Sequence, residues 1–218
     1  RKFCFKKKQL SKRKLFSNLV SDGLKGSGDY GMFAFGLYNG QTANSPELNN
    51  KLHAVTRFSY PMLVGKQIVE MGIQAYKGQF VIPRSNLSAG VKYKPDLNYP
   101  DERVAASVIL YPKPFGIQAE YNVGRGPAFN KQTDSIEVQS LNGGYITLSY
   151  LKKFAKQTLI PFIRYQQYNG GKKHERDARS YNVRELELGA EWQINKNFEL
   201  VVNYTLSNRR YEDYILQN

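Results

Sequence analysis

Apolar and polar side chains alternate at every second position over much of this chain, and this alternation limits the possible folds more than any other feature. The clearest case is RELELGAEWQI at residues 184–194. One face carries Leu186, Leu188, Ala190, Trp192 and Ile194, and the other carries Glu185, Glu187, Gly189, Glu191 and Gln193. A period of two is that of a β-strand whose two faces meet different environments.

Nine segments have this strand character, and none keeps the 3.6-residue apolar period of a helix for three turns. They are 31–38, 52–60, 67–77, 103–111, 115–123, 144–151, 158–168, 182–194 and 198–207. Most have about the nine to eleven residues that a tilted strand needs to cross a bilayer. The sequence therefore predicts an all-β fold, although a soluble sheet with one buried face would alternate in the same way.

The lengths of the connections favour the membrane alternative. The long ones are 39–51, 78–102, 124–143 and 169–181, and the short ones are 61–66, 112–114, 152–157 and 195–197. Long and short connections alternate, as in outer-membrane barrels with short periplasmic turns and long external loops. We therefore predict an antiparallel transmembrane β-barrel with about nine strands in this chain. Because such barrels usually have an even number of strands, we expect a closing strand beyond Asn218 and hence a partial barrel.

Composition excludes several classes of protein. A single cysteine among 218 residues rules out an internal disulfide framework and a cysteine-based zinc site. Only two histidines, His53 and His174, are present, and no nucleophile motif is recognisable, so we predict neither an enzyme nor a metal or cofactor site. The mean hydropathy of −0.56 does not argue against a barrel, because alternating strands hide their apolar half.

The net charge of +14 is concentrated at the start of the chain, where residues 1–14 hold eight lysines and arginines and no acid. We therefore divide the chain into a basic head, residues 1–22, and a partial barrel domain, residues 23–218. Such a head can bind nucleic acid or an anionic surface. A soluble or surface β-sheet protein that binds nucleic acid through this head is thus the alternative to a membrane barrel, and it predicts strongly salt-dependent affinity.

Several stretches resemble the phosphate-selective porin O/P family. They are GLYNGQ (36–41), RFSYP (57–61), GIQAYKGQFVIP (72–83), the segment 99–130, GGYITLSY (143–150) and the segment 172–213. The resemblance covers about residues 30–218, whereas residues 1–22 do not match. It implies part of a sixteen-stranded, usually trimeric barrel in the outer membrane of Gram-negative bacteria. It also implies passive diffusion of small hydrophilic solutes, with a possible preference for anions such as phosphate.

An anion-selective barrel needs lysine or arginine on its inner wall. The candidates for this anion pathway are Arg57, Arg103, Arg125, Arg164 and Arg184, and the candidate lumen acids are Glu120, Glu185, Glu187 and Glu191. Each arginine could instead pair with a wall carboxylate or contact lipopolysaccharide at the rim. Trp192, close to a short turn, is predicted at the membrane interface. Five tyrosines are predicted to face lipid or to belong to the aromatic girdle, namely Tyr111, Tyr145, Tyr150, Tyr165 and Tyr204. For Tyr150 and Tyr204, packing in the core of a soluble sheet is the alternative.

The partners that follow are outer-membrane lipid and lipopolysaccharide, small anions or other hydrophilic solutes, and two further copies of the full-length chain in a homotrimer. No nucleic acid is expected for the porin.

Overall fold

The alternating segments form one antiparallel sheet of ten strands in the computed structural model, which describes residues 14–41, 46–195 and 197–211. The strands are β1 (Met32–Tyr38), β2 (His53–Val64), β3 (Gln67–Val81), β4 (Asn98–Leu110), β5 (Phe115–Asn130), β6 (Ser135–Tyr150), β7 (Lys152–Phe154), β8 (Gln157–Gly171), β9 (Ser180–Asn195) and β10 (Phe198–Tyr211). Each long strand pairs with its neighbours in sequence, and the short β7 pairs with β8 alone. Within the described residues the sheet is not closed, and β1 and β10 lie at its two ends.

The nine predicted strands are confirmed as the nine long strands, but several are longer than predicted. The largest difference is the segment 124–143, which we predicted as a long loop. Here β5 and β6 continue as a hairpin, with Arg125 opposite Ser140 and Pro127 opposite Val138, and only residues 131–134 turn. Gly124, Gly126 and Pro127 weaken the local strand signal, but the pairing of two strands outweighs that weak propensity.

The register of the strands separates two faces. One face, which we call the apolar face, exposes large hydrophobic side chains on every long strand. They include Phe33, Phe35, Phe58, Ile73, Val104, Tyr121, Ile146, Ile163, Leu188 and Tyr204. A continuous exposed surface of this kind is rare in soluble proteins and is normal where a barrel meets lipid tails. The fold is that of a β-barrel wall, as predicted.

The opposite face, which we call the polar face, carries side chains such as Arg57, Gln74, Glu120, Arg164, Glu187 and Thr205. At the end of the sheet where the long connections lie, the long-loop end, a cluster including Phe80, Ile82, Tyr99 and Ala178 packs the loops on the strands. At the other end, the short-turn end, helix α1 (Leu15–Ser21) packs on the sheet.

The helical part of the described residues is small. It consists of α1 and two single 3₁₀ turns, Arg84–Asn86 and Arg176–Ala178. None of these helices is long and apolar enough to cross a membrane. Within the predicted head, residues 15–21 are therefore helical, and residues 1–13 lie outside the described residues; the boundary after residue 22 stays a prediction.

Candidate functional site: the polar face of the sheet

Arg57 and Arg164 lie on the polar face, near the middle of their strands. Arg57 on β2 is opposite Gln74, and Arg164 on β8 lies between Thr147 and Glu187. The Nε atom of each guanidinium is buried and has no hydrogen-bond partner. A buried donor without an acceptor is costly, so each guanidinium carries an unsatisfied polar group as well as its positive charge.

All four candidate acids share this face, and three of them are held by neutral donors. The carboxylate of Glu120 accepts a hydrogen bond of 2.6 Å from Nε2 of Gln74. The carboxylate of Glu187 accepts one of 3.0 Å from Nδ2 of Asn203, and that of Glu191 accepts one of 2.6 Å from Nε2 of Gln193. Hydrogen bonds from neutral groups do not cancel the negative charge of these carboxylates. The carboxylates therefore offset part of the positive charge of the arginines on the same face.

Glu185 differs from the other acids because a cation is bonded to it. Its Oε1 atom accepts hydrogen bonds from Nη2 and Nε of Arg209 at 2.8 and 2.9 Å, and another from the Ser207 hydroxyl at 2.6 Å. Gln166 donates to the second oxygen. Because Arg209 neutralises Glu185, the pair contributes no net charge to the polar face. Arg209 lies just beyond the last predicted strand, 198–207, yet it keeps the alternation of Thr205 and Ser207, which was the available signal.

Arg103 occupies the long-loop end of the polar face, next to two further ionised groups. Its Nε atom lies 3.2 Å from the fully buried Asp101, which also accepts a 2.7 Å hydrogen bond from Nζ of Lys173. These residues line a cavity of about 550 Å³ together with Tyr76 and His174. Burial, together with the charge of Lys173, lowers the pKa of His174 below its ordinary value. The sequence pattern did not single out Asp101, because it lies in a segment predicted as loop.

Arg125 and Arg184 do not join this group, because their positions in the alternation put them on the apolar face. Arg184 lies two residues before Leu186, opposite Asn208, and Arg125 lies opposite Glu102 on β4. Arg125 is inside β5 rather than beyond a strand, and its Nη2 atom lies 2.9 Å from Oε2 of Glu102. Both arginines lie near the long-loop ends of their strands, beyond most of the exposed apolar side chains.

The aromatic residues predicted at the membrane, like the arginines, are found on both faces of the sheet. Trp192 lies on the apolar face near the short turn after β9, and its indole N–H donates to Oε1 of Gln157 at 3.0 Å. Tyr165 and Tyr204 also lie on the apolar face. The prediction for Tyr145 was wrong: it lies opposite Glu120 and Gln166 on the polar face, because β6 exposes its even-numbered residues on the apolar face. The prediction for Tyr111 was also wrong, because its ring is buried and its hydroxyl donates to Oε2 of Glu70 at 2.9 Å.

Metal binding has no support in the described residues. Within residues 14–41, 46–195 and 197–211, no three histidine, cysteine, aspartate or glutamate side chains lie close enough together to hold a metal ion. The chemistry that the polar face offers is therefore that of fixed charges and hydrogen-bonding groups along a wall.

An antiparallel sheet with an exposed apolar face and a charged opposite face is the wall of a transmembrane β-barrel, and a charged wall defines a channel-forming class of barrel. The family model described as phosphate-selective porin O and P matches residues 10–215. The match includes residues 10–22, so the expectation that residues 1–22 lie wholly outside the resemblance was wrong for these thirteen. This chain therefore belongs to the phosphate-selective porin O and P family, which indicates a channel rather than an enzyme. No curated protein and no solved structure matches the chain significantly.

Proposed function

We propose that this protein is a passive channel of the bacterial outer membrane, whose polar face lines a water-filled path for small hydrophilic solutes. The observation that supports this most is the separation of the two faces across all nine long strands. Lipid tails match the exposed apolar face, and water in the lumen keeps the carboxylates of the polar face hydrated. The mechanism is diffusion biased by fixed charge, with no covalent step.

We further propose that the path prefers anions such as phosphate, and that Arg57, Arg103 and Arg164 produce the preference. The positive charges of Arg57 and Arg164, near the middle of the wall, attract a passing anion that has shed part of its water. The pairing of Glu185 with Arg209 reduces the opposing negative charge. The family description, which names phosphate, supports this solute class.

The test is the reversal potential of the protein in planar bilayers across a chloride gradient, with phosphate then added. An anion-side potential and a chloride current that phosphate blocks are the expected results. The double variant Arg57→Gln/Arg164→Gln is expected to shift the reversal potential toward cations and to weaken the block. The double variant Arg125→Gln/Arg184→Gln, which removes the same two positive charges from the apolar face, is the matched control and is expected to leave both quantities unchanged. A cation-side potential in the unaltered protein would contradict the anion preference and leave the channel itself in place.

Arg125 and Arg184 suggest a second role for arginine in the same barrel. We propose that they contact the phosphate groups of lipopolysaccharide at the outer rim, and that the barrel is a homotrimer with outer-membrane lipid around it. Chemical cross-linking in native outer-membrane vesicles is expected to give a trimer. A monomer at every cross-linker concentration would contradict this part of the proposal.

The alternative of a soluble or surface β protein that binds nucleic acid through the basic head is not supported. A soluble protein would have to cover the apolar face, on which Phe33 is 72% exposed and Tyr204 is 64% exposed. The match to the porin family points the same way.

A further inference from the structure

The polar face carries an apolar patch at its short-turn end. Alternation along β3 and β4 places Ile68 and Ile109 on the same face as Glu70, where a water-filled path would leave them exposed. Leu15 and Leu19 of α1 pack against Ile68 and Tyr111, and all four side chains are buried. The patch is therefore the docking site of a segment of this chain that lies on the polar face.

The segment continues from this patch to the far side of the sheet. The carboxylate of Asp22, immediately after α1, lies 2.5 Å from Nζ of Lys153 on β7. The backbone carbonyl of Gly23 accepts a 3.1 Å hydrogen bond from Nε2 of Gln193 on β9. In the sheet, β5, β6 and β8 lie between β4 and β9. At about 4.8 Å per strand, the two contact regions are about 19 Å apart along the wall.

The segment then returns to the strands from which it started. The backbone N–H of Ser27 donates to Oε2 of Glu70 at 3.2 Å, and the Tyr111 hydroxyl donates to the same oxygen at 2.9 Å. Gly26 packs so closely that a Cβ atom there would lie 3.1 Å from the Tyr111 hydroxyl. We call residues 15–31, which end where β1 begins, the inner strap.

We propose that the inner strap is a constriction of the solute path at the short-turn end, and that the Asp22–Lys153 ion pair, together with the apolar patch, holds it in place. This inference rests on the proposed channel function. An α-helix with its side chains is about 10 Å wide, so a strap on the polar face takes up a substantial part of the cross-section. The space left between the strap and the strands β7 to β10 is a cavity of about 880 Å³, lined in part by Asp22, Lys153, Lys156 and Glu199. Solutes pass these charged groups when they cross the short-turn end.

The experiment compares the single-channel conductance of Lys153→Gln, Asp22→Asn and the unaltered protein. Each substitution removes the ion pair, so both are expected to raise the conductance by releasing the strap. A purely electrostatic effect on the current would have opposite signs in the two variants, because one loses a positive charge and the other a negative charge. Lys152→Gln is the charge-matched control, since Lys152 pairs opposite Leu159 on the apolar face, and it is expected to conduct like the unaltered protein.

A second readout does not depend on current. In a Cys4→Ser background, a cysteine substituted for Leu19 is expected to resist a charged thiol reagent, and to react once Lys153→Gln is added. Equal conductance in all variants, or opposite changes in Lys153→Gln and Asp22→Asn, would overturn the constriction while leaving the channel function intact. A protein that forms no channel would overturn the proposed function and the constriction with it.

Discussion

The guanidinium of Arg164 lies over the ring of Tyr145, with its central carbon 4.1 Å from the ring centre. The two residues are on neighbouring strands, β8 and β6, and both face the polar side of the sheet. The Tyr145 hydroxyl in turn accepts a 2.9 Å hydrogen bond from Nε2 of Gln118. The contact holds the arginine against the wall, so that its charge is fixed in position without a carboxylate partner.

Replacement of Tyr145 by leucine is expected to lower the free energy of unfolding by about 0.5–1 kcal/mol, the usual range of a partly exposed cation–π contact. Tyr145→Phe keeps the ring and is expected to retain most of that contact. Chemical denaturation in detergent measures both variants. Equal destabilisation by leucine and phenylalanine would mean that the hydroxyl, rather than the ring, carries the interaction.

The Lys173–Asp101 pair fastens the long loop after β8 to the sheet. Asp101 is completely buried, so Lys173→Met leaves a buried carboxylate with Arg103 as its remaining cationic partner. We expect Lys173→Met to lower the free energy of unfolding by about 1.5–3 kcal/mol, the range for a hydrogen bond to a charged group. Lys172→Met is the neighbouring control; its Nζ atom lies 4.2 Å from the centre of the Tyr181 ring, and its loss should cost less than about 1 kcal/mol. Equal losses of stability in Lys173→Met and Lys172→Met would contradict the claim that the Lys173–Asp101 pair holds the loop.

The same loop is expected to open at acid pH because of His174, whose ring packs edge-on against Phe80 at 5.0 Å between centres. Burial and the charge of Lys173 lower the pKa of His174, with a smaller opposing effect from Asp101. The unfolded loop therefore binds a proton more readily than the folded loop. This contribution to stability is complete above about pH 6.5, the ordinary histidine pKa, and is lost as the pH falls through the lower, folded value.

Limited proteolysis of residues 172–179 between pH 5 and 8 measures this opening. Cleavage is expected to accelerate at acid pH in the unaltered protein, and the pH dependence is expected to disappear in His174→Gln. A pH dependence that survives in this variant would assign the effect to another group.

Gly189 provides a fourth test, because the ring of Phe162 on the adjacent strand lies where a Cβ atom would be. Gly189→Ala is expected to destabilise the protein by about 1–3 kcal/mol through overpacking. Phe162→Leu combined with Gly189→Ala is expected to recover part of the loss, since the shorter side chain vacates the space. Denaturation of the two single variants and the double variant gives the coupling, and strict additivity would contradict the contact.

The alternation of the sequence was sufficient to predict the nine long strands and the faces of most of their side chains. Arg57 and the four acids lie on the polar face because, with a period of two, the position of one residue fixes that of its neighbours. The alternation did not decide the face of Arg164, because Arg164 shares its parity with the apolar Ile160 and Phe162; the strand pairing places it opposite Glu187 on the polar face. Sequence reasoning was less successful at the long-loop end. There the strands continue through glycine and proline, and Asp101, Arg125 and Arg209 belong to strands where a loop was predicted.

The inner strap could not be predicted from the alternation of the sequence, and the cause is different. The seven residues of α1 are too few to show a periodic signal, and the patch that receives them is formed by two strands through tertiary packing. The only sequence trace of this contact is that Ile68 and Ile109 interrupt the polar positions of β3 and β4.

The central claim, that the polar face meets water and the apolar face meets lipid, is tested most directly by cysteine scanning along β9. Single cysteines at positions 185–192, in a Cys4→Ser background and in the membrane-inserted protein, are treated with a charged, membrane-impermeant thiol reagent. The account predicts labelling at Glu185, Glu187 and Glu191, and protection at Leu186, Leu188, Ala190 and Trp192. Labelling without a two-residue period, or equal labelling of both sets, would contradict it.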